Sequence, residues 1–243
     1  MKVVAVKKGE VILRLIDLDT LDPKKSADQY WNLLDTAERE KYLSLKLESK
    51  KQEYFITRVL IRKSLSEHTN VRPEEWHFST GPFGRPQISH PIEEISLTFN
   101  VSHTEGILVC AIAVDCSLGV DIEVVRPVEN LLGVAESTFN PKELQRLMQL
   151  DEDLRVQRFY EYWTLKEAYV KAREKGLSLP TKDFSFEFGS DETISVFTEC
   201  SHPEDSQDWR FLLRRPTAQH QLAVAYKEPG GGNLIISEKW ETL

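Results

Sequence analysis

The chain has 243 residues, of which 40% are hydrophobic and 29% charged, a balance typical of globular proteins rather than disordered or fibrous ones. Its net charge of −8 argues against non-specific binding to nucleic acid, and its longest apolar stretch, residues 107–114, is too short to span a membrane. Three cysteines without metal-ligand spacing, and no secretory signal at the amino terminus, predict a protein of the reducing cytoplasm.

The first half of the chain is predicted to mix helices with strands. Residues 37–67 have the apolar spacing of helices, with a break near Ser49. Two glycines and two prolines punctuate residues 76–88, which predicts an ordered loop there. Strands are predicted at residues 11–18, 97–101 and 107–114.

The second half begins with a predicted strand, LGVDIEVV, at residues 118–125. A helix over residues 139–150 begins with Asn140 and Pro141, a favourable N-cap and first-turn pair. A longer helix is expected from Asp153 to Gly176. Short strands are predicted at residues 184–188, 193–198, 209–214, 221–226 and 234–237. These elements predict a mixed α/β fold, and a boundary near residue 115 would divide it into two halves of similar make-up.

Two carboxylates stand two residues apart in the strand LGVDIEVV. Side chains at i and i+2 of a strand share a face, so Asp121 and Glu123 are expected to lie side by side. Such neighbours repel each other unless water screens them or a cation joins them. The pair is therefore either solvated or part of an oxygen-ligand site for Mg²⁺.

The helix from Asp153 carries a second set of polar residues. Trp163, Glu167 and Lys171 are spaced i, i+4, i+8 and form one stripe, with Lys166 beside it. This stripe is either an ordinary Glu–Lys helix pair next to a packed tryptophan, or the completion of a metal site with a lysine for an anionic ligand. In the turn after the strand at 97–101, His103 follows Ser102, where its imidazole would be exposed beside backbone amides.

Taken together, the chain resembles the 4′-phosphopantetheinyl transferase family, and specifically its Sfp-type members, which form a pseudo-dimer within one chain. Four blocks carry the resemblance, and they occur in the family's order. They are Gly84-Arg85-Pro86, Phe99 to His103 (FNVSH), Leu118 to Glu123 (LGVDIE), and Trp163 to Lys171 (WTLKEAYVK) followed by Gly176 to Pro180 (GLSLP).

The resemblance implies an α/β fold of two similar subdomains related by a pseudo-twofold axis. Residues 1–115 would be the amino-terminal subdomain, on the side of the coenzyme A adenine and 3′-phosphate, and residues 116–243 the carboxy-terminal subdomain with the metal site and catalytic helix. The implied reaction moves the 4′-phosphopantetheine arm of coenzyme A to a serine of an apo carrier protein. It depends on Mg²⁺ and releases adenosine 3′,5′-bisphosphate.

The resemblance also implies roles for particular residues. Mg²⁺ would be held by Asp121, Glu123 and Glu167, and Glu167 would deprotonate the attacking serine, directly or through water. Lys171 would stabilise the leaving phosphate. Coenzyme A would be bound by Lys41 at its 3′-phosphate, by Gly84, Arg85 and Pro86 on its adenine side, and by Ser102, His103 and Lys171 at its phosphates. Arg85 stands where the family usually has lysine.

The implied partners are apo acyl carrier or peptidyl carrier proteins, with neither nucleic acid nor membrane involved, and a monomer is expected because one chain contains both halves. Residues 39–63 have eight basic side chains against three acidic ones, so this basic segment could steer an acidic carrier. The stretch from Val124 to Phe139, with Leu131 and Leu132, is a second candidate for carrier contact. Two alternatives remain open: a non-catalytic protein that binds coenzyme A or a carrier, and a different Mg²⁺-dependent phosphoryl or nucleotidyl transferase.

Overall fold

The computed structural model of the chain describes residues 5–81, 84–91, 96–174, 179–191, 193–198, 208–227 and 234–243. The helices in these residues are α1 (Pro23–Tyr30), α2 (Thr36–Ser44), α3 (Glu48–Ser66), α4 (Leu131–Thr138), α5 (Pro141–Met148) and α6 (Glu152–Arg173). The strands are β1 (Glu10–Asp17), β2 (His77–Thr80), β3 (Pro86–His90), β4 (Leu97–Thr104), β5 (Ile107–Val114), β6 (Ser117–Val124), β7 (Phe184–Phe188), β8 (Ile194–Thr198), β9 (Trp209–Arg214), β10 (His220–Lys227) and β11 (Ile235–Trp240). The mixture of helices and strands confirms the predicted α/β class.

Contacts between residues divide the chain into two compact units. The first unit consists of Met1–Val101, Gly106–Asp115 and Ile235–Leu243, and the second of Ser102–Glu105 and Cys116–Leu234. The predicted division after residue 115 is one of the points where the chain passes between the units. Residues 235–243 belong to the first unit because β11 pairs with β1, a long-range pairing that no local sequence pattern reports. The pseudo-twofold relation stays a prediction.

The first unit is built on a four-stranded sheet in the order β11-β1-β5-β4. Strand β1 runs parallel to β11 and antiparallel to β5. Helix α3 contributes Phe55, Ile56, Val59 and Leu60 to the same hydrophobic cluster as apolar residues of β1 and β5. This i, i+1, i+4, i+5 spacing is the apolar face of an amphipathic helix, and its burial is the main force that holds α3 in place.

A buried ion pair joins α2 to α3 in this unit. The guanidinium of Arg62 donates to both carboxylate oxygens of Glu38, at 3.0 and 2.7 Å. Glu38 also completes a capping box with Asp35 at the start of α2. The break between the two predicted helices lies at residues 45–47, slightly before Ser49. Arg62 therefore belongs to the interior, although the sequence analysis counted it in the basic segment 39–63.

The prediction of a loop over residues 76–88 was wrong, because β2 and β3 form an antiparallel hairpin there. Pro86 is tolerated because it is the first residue of its strand, where a missing N–H does least harm. Gly84 has a φ of 80°, which glycine adopts without the strain that a side chain would cause. The amide of Gly81 donates to the carbonyl of Arg85 at 2.7 Å and closes the turn.

The second unit contains a three-stranded sheet in the order β6-β10-β9 and the hairpin β7-β8. Its core is rich in aromatic rings: Tyr169 of α6 lies 4.8 Å from the ring of Trp209 and 4.9 Å from that of Phe184, both edge-to-face. Helix α5 begins as predicted, since Asn140 accepts a hydrogen bond from the amide of Lys142 and forms a capping box with Glu143.

Helix α6 ends at Arg173, and Glu174 follows it in the left-handed conformation with a φ of 52°. The predicted stop at Gly176, together with Leu177 and Ser178 of the GLSLP block, lies outside the described residues. Helices α1 and α4 were not predicted. Among the helices that the structure describes, none is long and apolar enough to cross a membrane.

Candidate functional site

Strand β6 positions the two predicted carboxylates in the second unit. Asp121 is 4% exposed, and Glu123 is half-buried near the end of the strand. Strand β6 pairs antiparallel with β10 along its whole length, so Asp121 lies opposite Ala223 and Glu123 opposite Gln221. The strand therefore places two acidic side chains in an environment that is largely shielded from water.

Gly119 brings α6 close to this strand. A Cβ at Gly119 would overlap the carbonyl oxygen of Ala168 and would lie 2.7 Å from the backbone nitrogen of Ala172. Only glycine permits that approach of helix backbone to strand. Because Glu167 and Lys171 lie on the same stretch of α6, the approach carries them to the carboxylates of β6.

Lys171 meets Asp121 directly. Its Nζ donates to Asp121 Oδ1 at 2.7 Å, to Ser102 Oγ at 3.0 Å and to the carbonyl of Val120 at 3.1 Å. The Ser102 hydroxyl in turn donates to Asp121 Oδ1 at 3.0 Å. Asp121 Oδ2 is buried and has no hydrogen-bond partner among the described residues. Oδ1 of Asp121 thus accepts two hydrogen bonds, and Oδ2 accepts none from the described residues.

Burial raises the pKa of all three carboxyl groups, and the charge of Asp121 raises the pKa of Glu123 and Glu167 further. Burial is the largest cause for Asp121, and it outweighs the opposing effect of the Lys171 ammonium. The pKa of Glu167 is raised by burial and then by the charge of Asp121. The pKa of Glu123 is raised by burial and by Asp121, while a hydrogen bond from Trp163 lowers it. The three acids are therefore close enough to sense one another's charge.

The segment Ser102–Glu105 holds two predicted phosphate contacts and is fixed within the second unit. Ser102 is buried and accepts a hydrogen bond from the amide of Ile122 at 3.4 Å, whereas the side chain of His103 is exposed. At the end of the segment, His220 Nε2 lies 3.0 Å from the carbonyl oxygen of Glu105. These contacts tie the segment to both β6 and β10.

The remaining predicted residues belong to the first unit. Lys41 is exposed in the last turn of α2. Gly84 and Arg85 lie in the turn of the β2-β3 hairpin and Pro86 begins β3; the guanidinium of Arg85 donates to the carbonyl of Phe99 at 2.9 Å. The structure thus places Lys41, Gly84, Arg85 and Pro86 in the first unit. It brings together in the second unit Asp121, Glu123, Glu167, Lys171 and Ser102.

Sequence reasoning missed one contact in the site and one in the interior of the second unit. Trp163 of the helix stripe, treated as core packing, lies close enough to Glu123 to lower the pKa of that carboxyl group. Lys166 is 2% exposed, and its Nζ contacts Glu143 Oε2 at 2.8 Å and the carbonyls of Thr181 and Phe184 at 2.7 and 2.8 Å. Neither partner could be found from local spacing, because both contacts join segments that are distant in sequence.

The chemistry of the acidic cluster fits a hard divalent cation. No three His, Cys, Asp or Glu side chains in the described ranges already stand in the arrangement of a metal site. The bare buried oxygen of Asp121 and the repulsion among the three carboxyl groups are nevertheless what a cation would relieve. Carboxylate oxygens are the ligands that Mg²⁺ prefers. The residue types of Asp121, Glu123 and Glu167 therefore suit Mg²⁺.

Comparison with known proteins shows the family to which this chain belongs. Residues 117–225 match the family model described as the 4′-phosphopantetheinyl transferase superfamily. Residues 22–115 match the model described as 4′-phosphopantetheinyl transferase, N-terminal. The two matches together cover parts of both compact units.

Among curated relatives, the chain is 30% identical over 173 residues to the 4′-phosphopantetheinyl transferase ffp of Bacillus subtilis, covering 71% of this chain and 75% of that protein. It is 32% identical over 144 residues to Sfp of Bacillus subtilis, covering 59% of this chain and 62% of Sfp. It is 32% identical over 121 residues to HetI of Nostoc, covering 50% of this chain and 51% of HetI. The chain therefore belongs to the 4′-phosphopantetheinyl transferase family, and it spans between half and two thirds of the length of HetI and Sfp.

A solved structure of a holo-(acyl-carrier-protein) synthase from Bacillus anthracis, in complex with coenzyme A (3′,5′-ADP), is 18% identical with a TM-score of 0.38. That similarity covers 46% of this chain and 95% of the synthase chain.

Proposed function

We propose that this protein transfers the 4′-phosphopantetheine arm of coenzyme A to a serine of an apo acyl carrier or peptidyl carrier protein. The serine oxygen forms a bond to the phosphorus that bears the pantetheine arm. The pyrophosphate P–O bond breaks, and adenosine 3′,5′-bisphosphate leaves. The observation that most supports this proposal is the cluster of three acids with Lys171, in a chain of the 4′-phosphopantetheinyl transferase family.

Asp121, Glu123 and Glu167 would hold Mg²⁺. A bound Mg²⁺ would neutralise charge on the pyrophosphate and so lower the barrier to phosphoryl transfer. Glycine at position 119 keeps α6 against β6, so the acid of the helix stays close enough to the strand for the charge of Asp121 to act on it.

Glu167 is the proposed base. It accepts the proton of the attacking serine hydroxyl, directly or through one water, as the serine oxygen bonds to phosphorus. Lys171 is the proposed stabiliser of the departing phosphate, because an ammonium that donates hydrogen bonds matches the charge that develops on the leaving oxygen. Ser102 and His103 are assigned to the phosphates of coenzyme A.

The proposal assigns other coenzyme A contacts to the first unit. Lys41 is the proposed contact of the 3′-phosphate, and Gly84, Arg85 and Pro86 are the proposed contacts on the adenine side. Replacing Arg85 by methionine should raise the KM for coenzyme A and leave the KM for the carrier unchanged, which steady-state kinetics would measure.

Carrier proteins are the proposed partners, and the basic segment 39–63 is a weaker candidate for their docking than its composition indicated. Lys50 pairs with Glu53 at 2.9 Å and Lys51 with Glu48 at 2.7 Å. Lys46 is exposed on the connection between α2 and α3. Charge reversal at Lys46 should therefore raise the carrier KM more than reversal at Lys50. The proposal includes action as a monomer in the cytoplasm, which light scattering and cell fractionation would examine.

The reaction can be tested by intact-mass analysis of a purified apo carrier protein after incubation with this protein, coenzyme A and Mg²⁺. The expected result is a gain of one phosphopantetheinyl group and release of adenosine 3′,5′-bisphosphate. The gain should be abolished by a chelator and by the substitution Glu167→Gln, which removes both a metal ligand and the base.

Glu161→Gln is the matched control, because Glu161 lies on the same helix and pairs with Arg158 at 2.8 Å rather than with the acidic cluster. It should retain transfer. Coenzyme A binding without transfer to several unrelated carriers would refute the proposal in favour of a non-catalytic binding protein.

A further inference from the structure

Lys171, the proposed phosphate contact, already has hydrogen-bond partners within the protein. Its ammonium donates hydrogen bonds to Asp121 Oδ1, Ser102 Oγ and the carbonyl of Val120. These acceptors belong to the second unit and match the three donors of a lysine ammonium. Lys171 also lies in the last turn of α6, where a positive charge is favoured by the exposed carbonyls of the helix end.

The charges of the cluster do not balance in this arrangement. Asp121, Glu123 and Glu167 supply three carboxylates; Lys171 contacts Asp121, and its charge also acts on Glu123 and Glu167. Asp121 is 4% exposed, and its Oδ2 has no partner there. A single ammonium satisfies one oxygen of a buried carboxylate and leaves the other oxygen available to a second cation.

We infer that Lys171 is an exchangeable internal cation: it occupies Asp121 Oδ1 in the metal-free protein, and a divalent ion takes Asp121 from it. The inference rests on the metal site of the proposed function. It adds that metal binding and release of the lysine are one event, so that the ammonium becomes available to an anionic ligand only when the ion has bound.

The physical reason is competition for one carboxylate. A divalent ion that binds the bare Oδ2 of Asp121 comes within one carboxylate group of the ammonium on Oδ1, and the repulsion between the two cations opposes the 2.7 Å contact between Lys171 and Oδ1. The lysine therefore weakens metal binding in the free protein. An anionic ligand that receives the released ammonium removes that cost, so the ligand and the metal should each strengthen the binding of the other.

Binding of Mn²⁺ to the full-length protein, followed by electron paramagnetic resonance without coenzyme A, tests this directly. The substitution Lys171→Met removes the ammonium and keeps most of the apolar stem. We expect the variant to bind Mn²⁺ about tenfold more tightly than the unmodified protein, since a cation beside an Asp weakens its binding of a proton about tenfold or more and opposes a metal ion in the same way.

Arg173→Met is the matched control. Arg173 lies on the same helix and donates to the hydroxyl of Tyr169 at 3.0 Å, so its loss lowers the net charge equally without freeing Asp121. Equal Mn²⁺ affinity in the Lys171 and Arg173 variants, or weaker binding in the Lys171 variant, would overturn this inference and leave the proposed function intact. Absence of Mn²⁺ binding in all three proteins would overturn it together with the metal part of the proposed function.

A second measurement uses the unmodified protein and so does not depend on how a variant folds. Hydrogen-bonded lysine ammonium groups exchange slowly enough to give signals in ¹⁵N-resolved NMR spectra. The Lys171 signal, assigned by its loss in Lys171→Arg, should be present without metal and should shift or disappear as Mg²⁺ is added. A signal that stays unchanged while the carboxyl carbon of Asp121 responds to Mg²⁺ would contradict displacement.

Discussion

The close approach of α6 to β6 predicts a large effect from a small substitution, Gly119→Ala. The added Cβ would overlap the carbonyl oxygen of Ala168 and lie 2.7 Å from the nitrogen of Ala172, and both are backbone atoms that cannot rotate away. The helix must move outward or the strand must bend. Overpacking of this kind costs about 1–3 kcal/mol, and for a chain of this size each kcal/mol lowers Tm by roughly 2–4 °C.

Thermal unfolding followed by circular dichroism would measure this change. Gly133→Ala is the control, because a Cβ there would meet side-chain atoms of Asn130, which can rotate, and alanine favours a helix over glycine by up to about 1 kcal/mol. The two glycine-to-alanine changes should therefore shift Tm in opposite directions. If Gly119→Ala is as stable as the unmodified protein, the argument that this glycine sets the distance between helix and strand fails.

Three further predictions follow from buried groups. Glu38→Ala should lower the free energy of unfolding in urea by about 3–5 kcal/mol, because it strands the guanidinium of Arg62 in the core of the first unit. Lys166→Met should cost a similar amount, about 3–5 kcal/mol, by leaving the carboxylate of Glu143 unpaired, and a much smaller loss would contradict the interior role of this lysine. Burial raises the pKa of the Cys110 thiol to about 12, so that it stays protonated at pH 8; peptide mapping should find Cys110 unalkylated by iodoacetamide in native protein and alkylated in urea.

Much of the site could be predicted from the sequence because it depends on two periodicities of the backbone. The two-residue repeat of a strand places Asp121 beside Glu123, and the four-residue spacing of a helix places Glu167 one turn before Lys171 on the same face. The structure brings these four residues together in the second unit. Their roles in metal binding and catalysis stay predictions, as do those of Lys41 and the Gly84-Arg85-Pro86 block.

What could not be predicted depends on contacts between distant segments. Strand β11 pairs with β1 across more than two hundred residues, so the end of the chain belongs to the first unit. The hairpin formed by β2 and β3 was predicted as a loop because glycine and proline signals report the turn and say nothing of the pairing on either side of it. Gly119 carries no local signal either, because its constraint comes from the backbone of α6.

The two lysines of the WTLKEAYVK block show how the same residue type acquires different roles on one helix. Lys166 and Lys171 are five residues apart, which is about 140° around an α-helix, so they face different surroundings. Lys166 is 2% exposed and is bound by two backbone carbonyls and the buried carboxylate of Glu143, none of which a soluble ion can reach. The side chain of Lys171 is 29% exposed, and its acidic partner retains a bare oxygen. Lys166 therefore serves as a fixed part of the interior, whereas Lys171 can exchange its partner when a stronger cation arrives.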